Sequence, residues 1–194
     1  QNIIETQILN GESLSYGLEL LFKKSLGDFT GWIAYTISKA SQRTPGGTAG
    51  GPGINNGDWY NTSWDRPHDL SIVGSYQLNK KWSFGTVFIF QTGRPVTYPN
   101  GQYNYEALSI ANFSERNADR LPSYNRLDIS ATYVPNKKPE NRWKGEWVFG
   151  IYNVYNRKNA AAISFGQNRE TGANEATRTA IFGIVPSITY NFKF

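Results

Sequence analysis

Residues Ile181 to Phe194 read IFGIVPSITYNFKF. Phe182, Ile184, Pro186, Ile188, Tyr190, Phe192 and Phe194 fall on one parity, and Ile181, Gly183, Val185, Ser187, Thr189, Asn191 and Lys193 on the other. Alternate side chains of a strand point to opposite faces. One face of this segment is therefore apolar and ends in aromatic rings, while the other turns polar. In water such a strand at a chain end invites edge pairing. It suits a membrane β-barrel, in which one face meets lipid and the other the lumen.

Six further segments carry the same two-residue period. Glu12–Ser25 sets Tyr16, Leu18, Leu20 and Phe22 against Gly17, Glu19 and Lys23. Asp28–Gln42 offers Phe29, Ile33, Tyr35 and Ile37. Asp65–Leu78 sets Leu70, Ile72, Tyr76 and Leu78 against Ser71, Ser75 and Gln77. Lys80–Arg94 sets Trp82, Phe84, Phe88 and Phe90 against Ser83, Gly85 and Gln91. Ser123–Val134 sets Leu127, Ile129, Ala131 and Tyr133 against Arg126, Asp128, Ser130 and Thr132. Trp143–Arg157 is also strand-like, but its pattern leaves the face of Asn153 open, and with it the face that would meet lipid.

The connections alternate in length. Ser25–Asp28, Asn79–Lys81 and Pro135–Arg142 are short; Arg43–Ser63, Pro95–Pro122 and Lys158–Arg178 are long. Outer-membrane barrels have short periplasmic turns and long outer loops, so the last strand would run inward and end in the periplasm. Phe29, Trp32, Tyr76, Trp82, Phe84, Tyr133, Trp143, Trp147, Tyr190, Phe192 and Phe194 would then gather near the periplasmic interface. Tyr16, Phe88, Phe90, Tyr155 and Phe182 would lie nearer the outer one. Amphipathic rings favour both interfaces. Single-chain bacterial barrels have even strand numbers, and open edges in lipid are costly, so these strands are expected to pair with others.

The chain has 194 residues, enough for one domain. No run approaches the ~18 apolar residues of a spanning helix. With no cysteine there is neither a disulfide framework nor a thiolate metal site. A net charge of +5 without a Lys/Arg run is weak support for nucleic acid, which is not expected as a partner. The start at Gln1 reads as a piece of a longer mature protein.

Six stretches taken in order resemble a known family: Tyr16–Ala40, Asn55–Gly85 (NNGDWYNTSWDRPHDLSIVGSYQLNKKWSFG), Thr92–Tyr103, Arg120–Tyr133 (RLPSYNRLDISATY), Trp147–Ile163 and the terminal segment. Together they resemble the C-terminal barrel of TonB-dependent outer-membrane receptors, in particular those of the Bacteroidetes type. The resemblance implies the last seven strands of a ~22-stranded barrel, an N-terminal plug and import energised through TonB, plug and TonB-contacting segment lying in the missing N-terminal part. It implies the outer membrane of a Gram-negative bacterium, with lipid, the rest of the barrel and a surface lipoprotein as partners. Tyr190, Phe192 and Phe194 further resemble the signal read by the assembly machinery; physically they would also serve as girdle.

Trp64-Asp65-Arg66-Pro67-His68-Asp69 is the densest polar cluster and holds the chain's one histidine. A catalytic reading makes His68 a base oriented by Asp65 or Asp69, but no nucleophile motif accompanies it. One histidine is also poor for a metal site. The preferred reading is a strand start, with Pro67 ending the loop and Arg66 pairing with the aspartates. No catalytic residue, metal or cofactor is expected. Glu19, Arg126 and Asp128 are expected to face a lumen or plug. Gly46–Gly53 lacks the Lys-Ser/Thr of a phosphate loop and reads as an outer loop.

Trp59, Tyr60 and Trp64, with Tyr98, Tyr103, Tyr105 and Phe113 in the next loop, are the aromatic candidates for ligand contact; all but Phe113 are taken as candidate substrate-binding residues. Asn153, Asn156, Arg157, Lys158 and Asn159 are expected to bond neighbouring strands. The leading expectation is import of a scarce nutrient such as a siderophore, oligosaccharide or peptide. The alternatives are a barrel that scaffolds an outer-membrane complex without transport, and a secreted β-sandwich carbohydrate-binding module with Trp59 and Trp64 as its platform.

Overall fold

The computed structural model describes residues 9–46, 51–106, 108–135, 144–168, 170 and 173–193. Phe194, Trp143 and the middle of the Gly-rich run lie outside them. Fourteen strands follow in chain order: β1 (Glu12–Lys24), β2 (Phe29–Arg43), β3 (Tyr60–Asn61), β4 (His68–Gln77), β5 (Trp82–Gln91), β6 (Pro95–Val96), β7 (Pro99–Tyr105), β8 (Leu108–Phe113), β9 (Asp119–Arg120), β10 (Tyr124–Tyr133), β11 (Lys144–Tyr152), β12 (Ala160–Gln167), β13 (Asn174–Ala180) and β14 (Val185–Lys193).

Seven of them, in the order β1-β2-β4-β5-β10-β11-β14, form one antiparallel meander, and β3 pairs with β2 at its edge. These are the seven segments expected from the two-residue period. The chain is all-β and antiparallel, and the sheet is open: among the described residues β1 pairs only with β2, and β14 only with β11.

The register puts the expected apolar faces on one side of the sheet. Leu18 lies opposite Ile37, Leu20 opposite Tyr35 and Phe22 opposite Ile33. The same side continues through Ile33↔Ile72↔Phe88↔Leu127 and through Ile129↔Ile151↔Pro186. Strand β11, whose pattern is undecided in the sequence, thereby turns Trp147, Phe149 and Ile151 to the apolar side and Val148, Gly150 and Tyr152 to the other.

Toward the short turns this face becomes aromatic. Trp82, Tyr133, Trp147 and Tyr190 form one row across four strands. Ring centroids are 4.7 Å apart for Trp82–Tyr133 and 4.6 Å for Trp147–Tyr190. Phe29, Tyr76 and Phe84 continue the belt on the earlier strands. Trp32 does not belong to it: its partners are Lys23 and Val73, on the opposite face from Ile33. Strand parity outweighs the preference of an indole for the belt.

Toward the long loops the apolar stripe stops at Ile37, and the same side of β2 continues as Lys39, Ser41 and Arg43. From Phe29 to Ile37 is about nine residues, the length a tilted strand needs to cross a bilayer.

Nothing within the described chain covers this face. The buried apolar residues are Ala40, Tyr60 and Leu121, all at the long-loop end, whereas Leu18 is 57% and Ile188 69% exposed. A water-soluble domain has to bury such a face against a second layer, and among the described residues no second sheet or helix does so.

The short turns are set locally. The Asn79 side chain accepts from the amides of Lys81 (2.8 Å) and Trp82 (3.0 Å), which closes the β4–β5 turn. The long connections, expected as loops, carry small sheets of their own, β6–β9, β7–β8 and β12–β13. Their strands are short, and none carries an apolar alternation long enough to mark it.

Several strand ends also differ from expectation: β11 ends at Tyr152 rather than Arg157, and β5 at Gln91 rather than Arg94. β4 starts at His68, because Asp65 is drawn into a buried knot described below. β14 starts at Val185, and Phe182 instead meets Tyr152 edge-on, with centroids 6.3 Å apart.

Candidate functional site at the long-loop end

Asp65 ties the first two long connections to the sheet. Its side chain is fully buried, and its Oδ1 accepts from the amide of Ala40 in β2 at 2.6 Å. Its Oδ2 pairs with the guanidinium of Arg120 and lies 3.9 Å from Lys39 Nζ. Arg120 also donates to the carbonyls of Asp65 and Gly93, both at 3.1 Å. Thr62, buried beside it, donates its amide to the Ala40 carbonyl at 3.1 Å. Gly93 has to lack a side chain, since a Cβ there would run into the carbonyl of Leu121.

The expected pairing of Arg66 with the aspartates is therefore corrected. Arg120, 55 residues away along the chain, takes Asp65, while Arg66 donates to Gln91 Oε1 at 2.5 Å. Gln91 in turn donates to Asp69 at 2.7 Å. His68 lies apart from both acids. Its ring stacks on Tyr35, with centroids 6.2 Å apart, and its Nδ1 is 2.8 Å from the Tyr35 hydroxyl. Asp69 pairs with Thr36, on the face opposite His68. The structure does not assemble the base–acid pair of the catalytic reading.

Asparagine side chains lace the loops together by imitating a β-ladder. Asn55 donates to the Arg116 carbonyl (3.1 Å) and accepts from the Arg116 amide (2.9 Å). Asn61 and Asn117 donate to each other's carbonyls at 3.2 and 2.7 Å. Asn159 makes the same two-way clamp on Asn125 (3.1 and 2.8 Å). Asn153, nearly fully buried, donates its amide to Asp128 (2.9 Å), and its side chain holds Arg157 from both sides. Asn156 accepts from the amide of Ile184 at 3.1 Å. Asn153 and Asn156 also adopt positive φ (54° and 51°), which asparagine tolerates better than most residues.

Two of the cavities among these loops border candidate aromatic residues. A polar cleft of 330 Å³ is lined by Lys39, Trp59, Tyr60, Asn61, Glu115 and Arg116. Trp59 is half-exposed under the Arg43 guanidinium, 5.2 Å from its ring centroid. Tyr60 is buried, its hydroxyl 3.2 Å from that of Thr44, so it packs the loop. The register sets Lys39, Ser41 and Asn61 on the side that carries Ile37.

The second cavity, 510 Å³, lies between the β6–β9 region and the β12–β13 hairpin, bounded by Arg94, Val96, Tyr98, Phe113, Leu121 and Phe165. Tyr98 packs edge-on against Phe165, with centroids 5.0 Å apart, and its buried hydroxyl has no hydrogen-bond partner among the described residues. Burial, with Asp119 adding to it, pushes this phenol above the usual tyrosine range. The wall mixes apolar side chains with the polar Arg94 and Thr97, the combination small-ligand sites use for grip and orientation.

The structure thus divides the six aromatic candidates: Trp59 and Tyr60 border the polar cleft and Tyr98 the larger cavity. Trp64, Tyr103 and Tyr105 are exposed, the latter two on β7, and border neither cavity.

The three expected lumen residues share the face opposite the apolar band. Glu19 pairs with Thr36 and is exposed. Arg126 donates to Asp128, Tyr124 and Tyr152, each at 3.0 Å, which leaves its charge compensated within the sheet. Tyr190 and Phe192 lie on the apolar face, their rings 6.2 Å apart. Among the described residues no cluster of three or more His, Cys, Asp or Glu side chains is placed to hold a metal. Comparison with protein-family models, with curated proteins and with solved structures gave no match, so the functional reading rests on the residues and their geometry.

Proposed function

We propose that this chain forms seven strands of a larger outer-membrane barrel of the TonB-dependent kind, and that the whole protein actively imports a scarce nutrient. The observation that carries this reading is the uncovered apolar face, about one bilayer tall, bounded by an aromatic belt at the short-turn end and by Lys39, Ser41 and Arg43 at the other. In the closed barrel, β1 and β14 meet neighbours elsewhere in the protein, which removes the open edges that lipid does not tolerate. The polar face lines the lumen, against a plug. The long connections form the outer mouth, where the Tyr98 cavity has room for a small ligand. The C-terminal end of β14 is periplasmic. On this reading the chain performs no catalysis; its work is wall, lumen surface and recognition.

The sandwich reading calls for a second layer on the apolar face, and the bare face speaks against it. The scaffold reading shares the wall but not the ligand, so uptake separates the two. Deleting the gene is expected to abolish uptake of one member of a panel of siderophores, oligosaccharides and peptides, and disabling TonB is expected to abolish the same uptake. Complementation with Tyr98→Phe is expected to restore the protein level, because removing an unpaired buried hydroxyl does not destabilise the fold. A deletion strain with unchanged uptake across the panel would turn the reading toward a scaffold.

A further inference from the structure

The apolar face has a hollow of 460 Å³ beside the aromatic belt. Gly74, Thr86 and Ala131 floor it, and Phe29, Phe84 and Phe149 stand around it. It exists because small residues interrupt the rings: Gly31, Gly74 and Thr86 follow one another across β2, β4 and β5. Its surroundings are almost wholly apolar side chains, which suits a hydrocarbon chain.

Uncompensated cations lie at the same end of the sheet. Lys24 closes β1 on the apolar side, opposite Gly31 and therefore in the row of Gly74. Its ammonium donates to the carbonyls of Leu26 (2.8 Å) and Phe29 (2.9 Å). That fixes it beside the hollow and leaves one of its three donors. Lys80 and Lys81 are exposed on the next short turn, immediately before Trp82. Among the described residues none of these three lysines has an ion-pair partner. At the long-loop end, by contrast, Arg43 pairs with Glu12 at 2.8 Å and Lys39 lies near Asp65.

We propose that the hollow and these lysines form a site for an anionic glycerophospholipid of the leaflet on the short-turn side. One acyl chain fills the hollow past the belt, and the headgroup phosphate is held by Lys24 with Lys80 and Lys81. The site rests on the membrane reading given above. A neutral lipid fills the hollow but leaves the ammonium groups unpaired. A second copy of the chain brings like charge against like charge. An anionic lipid satisfies both parts at once, and basic residues at the headgroup level attract such lipids.

The test uses the intact protein in lipid nanodiscs with brominated lipids, read by tryptophan quenching, since Trp82 and Trp147 stand in the belt. Brominated phosphatidylglycerol is expected to quench at lower mole fraction than brominated phosphatidylcholine, by roughly fivefold for each lysine engaged. The double variant Lys80→Gln/Lys81→Gln should cut that preference to the roughly fivefold left to Lys24, while keeping the quenching by phosphatidylcholine. Ala131→Leu, which fills the floor, should weaken the preference without touching the charges. Equal quenching by the two lipids, or a preference undiminished in both Lys80→Gln/Lys81→Gln and Lys24→Gln, would overturn the site while leaving the membrane reading in place. Quenching by neither lipid would remove both.

Discussion

Replacing Asp65 with alanine is expected to cost about 3 kcal/mol of stability, at the low end of the range for breaking a buried ion pair. The low end applies because Asp65 is fully buried but Arg120 keeps 27% of its side chain in water and is partly rehydrated. The larger part of the loss comes from the Ala40 amide and the guanidinium, both left without the acceptor they were folded around. The loops should loosen as well, since Arg120 also holds the Asp65 and Gly93 carbonyls. Urea unfolding of the protein folded into vesicles measures this, with Asp65→Asn as the comparison. The asparagine keeps an acceptor for Ala40 and loses only the charge, so its loss should be smaller. Equal stability of Asp65→Ala and the parent protein would show that the outer loops are anchored elsewhere.

The second large effect is expected on the apolar face. Ile129→Arg places a charge near the middle of the band and should cost about 2–4 kcal/mol, enough to block stable insertion. Ile188→Arg should act alike, since Ile188 is on the same face of β14 and highly exposed. It is a better probe than Ile184, which precedes β14 and is held through its amide by Asn156. Thr132→Arg, three residues toward the short turn on the same strand and on the other face, should cost less than about 1 kcal/mol, because it meets water. The readout is the folded fraction in bilayers of defined composition. Comparable losses for Ile129→Arg and Thr132→Arg would contradict the assignment of faces.

The long strands and their faces were legible because a two-residue period survives any tertiary context that keeps one side apolar. The alternation of short and long connections was legible for the same reason: it needs only strand ends. Trp32 shows the limit of reading by residue type, since an indole near the belt level still takes the face its parity dictates. The loops were opaque. The AAAISFGQ and NEATRTA strands of the β12–β13 hairpin carry no alternation strong enough to mark them.

The Asp65–Arg120 knot could not be read at all. Its partners are 55 residues apart, and the sequence offered Arg66 as a nearer partner. The asparagine clamps share this difficulty: side-chain amides that imitate a ladder leave no periodic trace. Tyr60 and Tyr98 looked alike as loop aromatics, yet one fills the loop interior with its hydroxyl near Thr44 and the other leaves its hydroxyl unpaired beside a cavity.

This sheet is proposed to cross an outer membrane with its long connections outside. The chain has no cysteine, so single cysteines report without background from it. Tyr105→Cys on β7 and Leu26→Cys in the β1–β2 turn mark the two ends, and both positions are exposed. In intact cells a membrane-impermeant maleimide should label Tyr105→Cys and spare Leu26→Cys until the outer membrane is opened. Labelling of both in intact cells, or of Leu26→Cys alone, would contradict the account.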